Sequence, residues 1–308
     1  MSARPVEFSV QASPRDRSSW IDLARRCEDV GARALLVSDH PGTGPSPFVA
    51  LAAAGAVTSS LRLGSYVLNA GVRDPLLVAG EVATLDVVSG GRAEVGLGAG
   101  HTPAEWAMTG RIRPSPSARA HRLITVAAAI ADLLAGRTVA AERVGAEADL
   151  VLTGPRSVQP RVPLLVGGGN PALLRWGGAH ADAVGLSGLG RTLTDGHSHT
   201  VAWSAEQVDT QVGLVRDAAG AVGVAGPVLE ALVQHVEITD DRDGAARAYA
   251  AKAEVDVAGV LAVPYVLIGS VAQVAEQLHA AQERWGTTRW VVRESALDAV
   301  DAVIRALH

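Results

Sequence analysis

The chain has one cysteine, Cys27, in 308 residues, so no disulfide can form within it. Its setting, "WIDLARRCEDVGA", reads as a helix in which the thiol packs as a small hydrophobe in a reducing compartment. Runs of basic residues are absent too, and 27 Lys and Arg against 32 Asp and Glu leave a net charge of −5. That balance argues against a nucleic-acid surface. No apolar stretch approaches the roughly 18 residues needed to cross a bilayer. The opening "MSARPVEFSV" lacks the apolar core of a signal peptide. A cytoplasmic protein with neither a nucleic-acid nor a membrane partner is expected. A chain of this length can bury about three quarters of its unfolded surface, so it needs no disulfide or metal staple.

What the chain does have is alternation. Apolar runs rich in β-branched residues predict strands at 6–10, 34–40, 62–69, 93–100, 162–170, 181–188, 228–238 and 289–295. Helical patterns fall at 18–32, 47–60, 74–89, 117–135, 171–179, 204–219, 243–256, 270–285 and 296–307, with Ser18 or Ser19 capping the first. Such alternation implies a parallel sheet with right-handed crossovers. Eight strand–helix units fit one closed (β/α)8 barrel, a single domain over 1–308, better than an open sheet. In a barrel the site lies at the C-terminal strand ends. Those ends are Ser9-Val10-Gln11, Ser38-Asp39-His40, Val67-Leu68-Asn69, Gly98-Ala99-Gly100-His101, Gly167-Gly168-Gly169-Asn170, Leu186-Ser187-Gly188, His235-Val236-Glu237 and Val292-Arg293-Glu294.

Two glycine clusters sit there. Gly96, Gly98 and Gly100 have period two and share one face of a strand. On the inner face near a barrel mouth, their missing side chains would leave room for a flat ligand. Gly90 and Gly91 read as helix stop and turn. A dinucleotide turn would need G-x-G-x-x-G opening a helix, with an acid about 20 residues on. Here the spacing is G-x-G-x-G, Pro103 follows, and "SPSARAH" carries no carboxylate. The second cluster, "VGGGNP", sets three glycines before Asn170, a good N-cap, and Pro171, suited to the first helical position. Free backbone N–H groups and the helix dipole make an anion site there, most often for a phosphate. A tight turn is the alternative.

The segments "LLVSDH", "RLGSYVLNAGVRDPLLVAGEVATLDVVSGGRAEVGLGAG", "PLLVGGGNPALLRWGGAHADAVGL" and "VLIGSVAQVAEQLHAAQERWGTTRWVV" together resemble the bacterial luciferase-like oxidoreductases. The likeness fades across 102–160 and 190–225, and "TLDVVSGGR" before "GLGAG" is its most specific part. It implies a TIM barrel with luciferase-like insertions that binds a flavin or a 5-deazaflavin at its mouth. The Ser-Asp-His ending is similar to the branch using coenzyme F420, whereas the flavin monooxygenase branch more often has a Glu-His pair. The resemblance therefore implies an F420-dependent oxidoreductase moving a hydride between the cofactor and a small organic substrate. The alternatives are an FMN-dependent monooxygenase and a non-catalytic paralogue that only binds the cofactor.

By the same resemblance, His40 lies beside the reactive ring carbon and Asp39 contacts the cofactor. Tyr66-Val67 matches a non-proline cis peptide backing the ring, and Asn69 touches the ring or its tail. Gly98, Ala99 and Gly100 line the cofactor, while Gly168, Gly169 and Asn170 receive its phosphate. Ser187 faces the substrate. His101 stands where the sugar-phosphate dehydrogenase branch has a proton-transferring glutamate, and Glu105, the nearest acid, is placed on the substrate side. His40 and His101 compete as the proton-carrying group, with His40 ranked first. This branch's Trp after its Asp-His pair is missing from "SDHPGTGPSP", and "LSGLGR" offers no clear basic match, which speaks against a sugar-phosphate substrate.

The structural alternatives are plain. Asp39 and His40 also read as a structural pair closing a turn before Pro41. "HSH" at 197–199 has metal-pair spacing but no third ligand, so a solvated loop and no metal site are expected. Trp20, Trp176 and Trp285 lie in helix patterns and read as core. No lysine stands at any strand end, which disfavours a Schiff-base aldolase. Helices 47–60 and 74–89 are apolar on nearly every face, so each needs a second covering surface, and a homodimer is expected.

Overall fold

The structure is a computed structural model describing residues 5–193, 199–201 and 203–307. In chain order the first seven strands are β1 (Glu7–Gln11), β2 (Ala34–Val37), β3 (Arg62–Ser65), β4 (Leu68–Asn69), β5 (Ala93–Gly98), β6 (Leu164–Gly167) and β7 (Ala183–Leu186). After them come β8 (Leu189–Thr192), β9 (His199–Val201), β10 (Val228–Leu232), β11 (His235–Ile238), β12 (Val266–Gly269) and β13 (Thr287–Arg293). Parallel pairing runs β3-β2-β1-β13-β10-β7-β6-β5, and a β3–β5 pairing closes the ring. This is the expected (β/α)8 barrel.

Helices α1 (Arg17–Asp29), α2 (Pro47–Gly55), α3 (Pro75–Ser89), α4 (Pro103–Met108), α5 (Pro116–Leu134), α6 (Ala141–Val144) and α7 (Pro171–His180) surround the first half. The second half carries α8 (Ala205–Ala221), α9 (Arg242–Ala253), α10 (Val257–Leu261), α11 (Val271–Trp285) and α12 (Leu297–Leu307). Helices α2, α3, α4, α5 and α7 all open on a proline, whose missing N–H and fixed φ suit the first helical position. Asp74 caps α3 by accepting from the N–H groups of Leu76 and Leu77, and Gly90, at φ +70, ends it in the left-handed region. The first helix is capped by Asp16, which accepts from Ser19 N–H, rather than by Ser18 or Ser19 themselves. Cys27 is buried in the core, and burial pushes its thiol up to about 12, as suits a small hydrophobe.

Several strands differ from the pattern. The 62–69 run is interrupted by a cis peptide at Tyr66-Val67 and resumes as β4, which pairs with β5. The 228–238 run breaks after Leu232, and His235-Val236-Glu237 belong to an outer two-stranded parallel sheet of β11 with β12. They are not a barrel strand end. Periodicity cannot show that break, because both pieces are apolar. Strand β12, in the apolar run VLIG, and the antiparallel pair β8–β9 were not among the predicted strands.

Inside the barrel, alternate residues form two zones. Ala34, Leu36, Tyr66, Leu165, Ala183, Leu232 and Val291 make the apolar filling. Below it lies a charged floor, where Arg33 forks onto Glu94 with Nη1–Oε1 3.1 Å and Nη2–Oε2 2.5 Å. Arg62 Nε adds a bond to Glu94 at 3.1 Å, and Arg289 Nε donates to Glu7 at 2.8 Å. Burial opposes the Glu94 charge, but Arg33 and Arg62 outweigh it and hold the carboxyl below its ordinary value. Glu230 has no such partner. Its Oε1 is buried without a hydrogen bond, and burial, helped by the Glu94 charge, pushes its pKa up to about 7.

A raised folded pKa means Glu230 costs nothing below the ordinary value of 4.5 and progressively destabilises the fold as pH rises toward 7. Glu230→Gln is therefore expected to match the wild type near pH 4.5 and to exceed it by up to about 3 kcal/mol at pH 8. Denaturant unfolding at both pH values checks this; equal stability at pH 8 would show that the carboxylate is accommodated.

Candidate active site

The C-terminal end of the barrel brings together residues from β2, β4, β5 and α4. His40 Nδ1 donates to Glu105 Oε1 at 2.7 Å, and Asn69 Nδ2 donates to Glu105 Oε2 at 2.8 Å. A carboxylate only accepts, so this contact places the proton on Nδ1 and leaves Nε2 with no partner among the described residues. The Asn69 backbone N–H donates to Asp39 Oδ2 at 3.0 Å, and Gly71 N–H donates to Asn69 Oδ1 at 3.0 Å. Arg73 grips Asp39 with both Nε, at 3.0 Å, and Nη2, at 2.6 Å.

Asp39 was expected at the cofactor. Its side chain is buried, and both its oxygens are taken by Arg73 and the Asn69 backbone. It anchors the loop after β4. Arg73, 34 residues away, is the partner that sequence reasoning missed. Glu105, expected near the substrate, is almost wholly buried and turns back onto His40 and Asn69. Its only sequence signal was being the acid nearest His101.

The glycines also have a different cause from the one expected. A Cβ on Gly96 would meet the Ser65 carbonyl oxygen at 2.3 Å, and one on Gly98 would meet Val67 Cγ2 at 2.4 Å. One on Gly100, at φ +69, would meet Asn69 Oδ1 at 2.0 Å. Thus Gly96, Gly98 and Gly100 make room for the chain between β3 and β4, not for open space. Ser65 Oγ completes the seam by donating to Gly96 O and accepting from Gly96 N–H, each at 3.0 Å. The Val67 side chain also reaches within 3.3 Å of where a Gly167 Cβ would stand. Tyr66 points into the barrel filling, its carbonyl accepting from Gln11 Nε2. Ala99, partly buried, packs on the core beside this seam. Trp106 Nε1 and Arg119 Nη1 both donate to Gly100 O, at 3.2 and 2.5 Å.

Just after β6, Gly168 takes φ +144, a conformation that favours glycine. A Cβ on Gly169 would meet Gln211 Nε2 at 2.8 Å. Asn170 caps α7 by accepting from the N–H groups of Ala172 and Leu173. Ser187 is tied into the next turn, its hydroxyl accepting from Leu189 N–H at 3.4 Å. No hydrogen bond among the described residues joins these two groups to the His40 set.

The two histidines are poised in opposite senses. The Glu105 hydrogen bond raises the pKa of His40 against the effect of burial. Burial would raise Glu105, but the bonds from His40 and Asn69 hold it below its ordinary value. His101 is pushed down to about 4 by desolvation and by His199, whose ring lies edge-on at 4.6 Å between centroids. His101 also retains a solvent-exposed surface, so the direction, a neutral ring near pH 7, is what matters. The solvated-loop expectation for 197–199 fails at His199, which sits in β9 against His101; His197 and Ser198 lie outside the described residues. No group of His, Cys, Asp and Glu suited to a metal occurs among the described residues.

A parallel eight-stranded barrel with a half-exposed histidine held on a buried glutamate and a backbone seam at its mouth defines an α/β-barrel protein with a candidate site at the strand ends. The chain belongs to the luciferase-like monooxygenase family, whose model matches residues 6–197. An F420-dependent glucose-6-phosphate dehydrogenase from Intrasporangium calvum is 31% identical over 196 residues, 59% of this chain and 57% of that one. A 5,10-methylenetetrahydromethanopterin reductase from Methanopyrus kandleri is 36% identical over 96 residues, 31% of this chain and 27% of that one. The chain thus spans little more than half of the first relative and about a quarter of the second. The crystal structure of monooxygenase RslO1 from Streptomyces bottropensis superposes with TM-score 0.73 at 22% identity, covering 97% of this chain and 96% of that one. At that identity the likeness speaks to the fold alone. No helix among the described residues is long and apolar enough to cross a membrane.

Replacing Glu105 by Gln removes the carboxylate whose hydrogen bond and charge raise His40, and leaves burial and Arg293 lowering the ring's pKa against Asp39 alone. The pKa of His40 in Glu105→Gln is expected below that of the wild type, read from its imidazole signals in an NMR titration. An unchanged value would mean that the 2.7 Å contact carries no charge coupling.

Proposed function

We propose that the protein is an F420-dependent oxidoreductase that transfers a hydride between the deazaflavin and a small organic substrate, with His40 moving the accompanying proton. The observation that carries this reading is the Glu105–His40 pair, which fixes the tautomer of His40 and leaves Nε2 unengaged at the mouth. A group near neutral pKa within hydrogen-bond reach is what proton transfer needs.

The residues present fit such a cofactor. Gln11 Oε1 is buried at the mouth without a partner among the described residues, and the turn after β6 is glycine at 168 and 169, where a Cβ would press on Leu173 and Gln211 and only bare backbone borders the start of α7. On this reading Gly168, Gly169 and Asn170 hold the cofactor's phosphate at the start of α7. The Tyr66-Val67 segment, with Gly98 and Gly100 beneath it, backs the ring, and Asn69 holds that segment to Glu105. The bound cofactor supplies the hydride chemistry. Glu105 keeps His40 oriented and favours its protonated form, while neutral His101 is the weaker acid. The family also contains monooxygenases, and an FMN-dependent monooxygenase is the competing reading. Similarity to F420-dependent dehydrogenases and a reductase supports the first.

A homodimer belongs to the same proposal. Helix α2 leaves Val49 72% exposed with Ala53 one turn away, and α3 leaves Leu77 68% and Val88 58% exposed, all on helices otherwise packed in the core. Such surface is normally covered by a partner. Ala53→Glu is expected to sediment as a folded monomer; a stable dimer would remove α2 from the interface.

Titration with F420, FMN and FAD should show F420 binding most tightly; tight binding of FMN alone would favour the monooxygenase. With reduced F420 and a screen of conjugated enones and imines, His40→Ala is expected to bind cofactor as the wild type does. Its turnover should fall by at least about a hundredfold, with His101→Ala less affected. Full activity of His40→Ala beside an inactive His101→Ala would swap the two roles.

A further inference from the structure

The inward-facing arginines of the barrel divide into two kinds. At the floor, Arg33, Arg62 and Arg289 each hold a carboxylate, Glu94 or Glu7. At the other end of β13, Arg293 holds none. Side chains alternate along a strand, and Arg293 shares its face with Arg289 and with Val291 of the interior filling. That alternation turns its side chain to the mouth side of the barrel, where the residue is solvent-exposed. Register pairs it with Gln11 on β1, whose Oε1 is the buried acceptor without a partner. Beyond β1 lies β2, which carries His40 at its end, and Arg293 acts electrostatically on both His40 and Tyr66.

The negative groups nearby are already matched. Asp39 is held by Arg73, Glu105 by His40, and the adjacent Glu294 by Arg15. Among the described residues Arg293 has no hydrogen bond or ion pair. An arginine fork is suited to bidentate recognition of a carboxylate or phosphate, and partial desolvation in a concave mouth strengthens such a contact.

We propose that Arg293 anchors an oxyanion of the substrate, a carboxylate or a phosphate, across β1 from His40. The substrate is thus an anion held at one end by Arg293, with its reacting centre toward His40 Nε2. This rests on the reading of His40 as facing the substrate.

The test is calorimetric titration of the protein with acetate and with inorganic phosphate, with F420 or FMN saturating where either binds. Wild type, Arg293→Lys, Arg293→Gln and the exposed control Arg175→Gln are compared. At least one anion is expected to bind the wild type and Arg175→Gln alike, and Arg293→Gln about tenfold or more weakly, with Arg293→Lys between. Acetate as the better ligand marks a carboxylate substrate, phosphate a phosphate ester. Equal affinities in wild type and Arg293→Gln, or no binding of either anion to the wild type, overturn the proposal. So does a loss confined to F420 or FMN affinity in Arg293→Gln, which would place Arg293 on the cofactor. The cofactor titration of the wild type is read separately, so failure of the F420 reading is distinguishable from failure of the anion site.

Discussion

A carboxylate sealed under the barrel mouth must be held by donors or surrender its charge. Glu105 is in that position, and the arrangement of the site follows from how it is held. One oxygen takes His40 Nδ1, the other Asn69 Nδ2. Asn69 can serve only because its backbone N–H is tied to Asp39 and its side-chain oxygen to Gly71. Asp39 in turn is gripped by the fork of Arg73. The ends of β2 and β4 and the start of α4 are thus held by one chain of charge-assisted bonds. Its close packing sets further demands: Gly71 lies where a Cβ would strike Trp106 at 2.2 Å, and Gly100 where one would strike Asn69.

The two ends of the barrel treat charge differently. At the floor the arginines are matched by Glu94 and Glu7, and Glu230 meets its burial by a raised pKa. At the mouth one imidazole is pulled toward its cationic form and its neighbour is pushed away from it. Pairs of titratable groups with divergent pKa values mark acid–base assignments. The divergence here comes from placement: His40 reaches a carboxylate, whereas His101 meets another imidazole.

Much of this was legible in the sequence. Alternating apolar runs showed the barrel, and the strand ends supplied His40, Asn69, Gln11 and Arg293. Asn170-Pro171 read correctly as a cap and first turn because capping chemistry is local. What escaped was what depends on partners distant in sequence. The Gly96, Gly98 and Gly100 face was visible, but not that Ser65 and Val67 fill it. The grip of Arg73 on Asp39 was not legible, because Arg73 lies 34 residues on. The run "VLEALVQHVEI" reads as one strand, since nothing in its pattern reveals that its second half pairs with β12.

The mouth therefore has two halves of different construction. The strands β3 to β6 end in backbone: the Tyr66-Val67 seam over Gly98 and Gly167, then Gly168 and Gly169. Backbone of this kind can lie close to a flat, phosphorylated group while offering little side-chain selectivity. The strands β13, β1 and β2 end in polar side chains: Arg293, which has no bond among the described residues, Gln11, which donates to the Tyr66 carbonyl, and His40 on Glu105. On the proposed reading the first half is the cofactor's and the second the substrate's. A change at Arg293 can then alter substrate choice without loosening the Glu105 chain, which does not depend on it. A change at Asn69, Gly71 or Gly100 acts on both halves at once, because the seam and His40 are held through the same side chain.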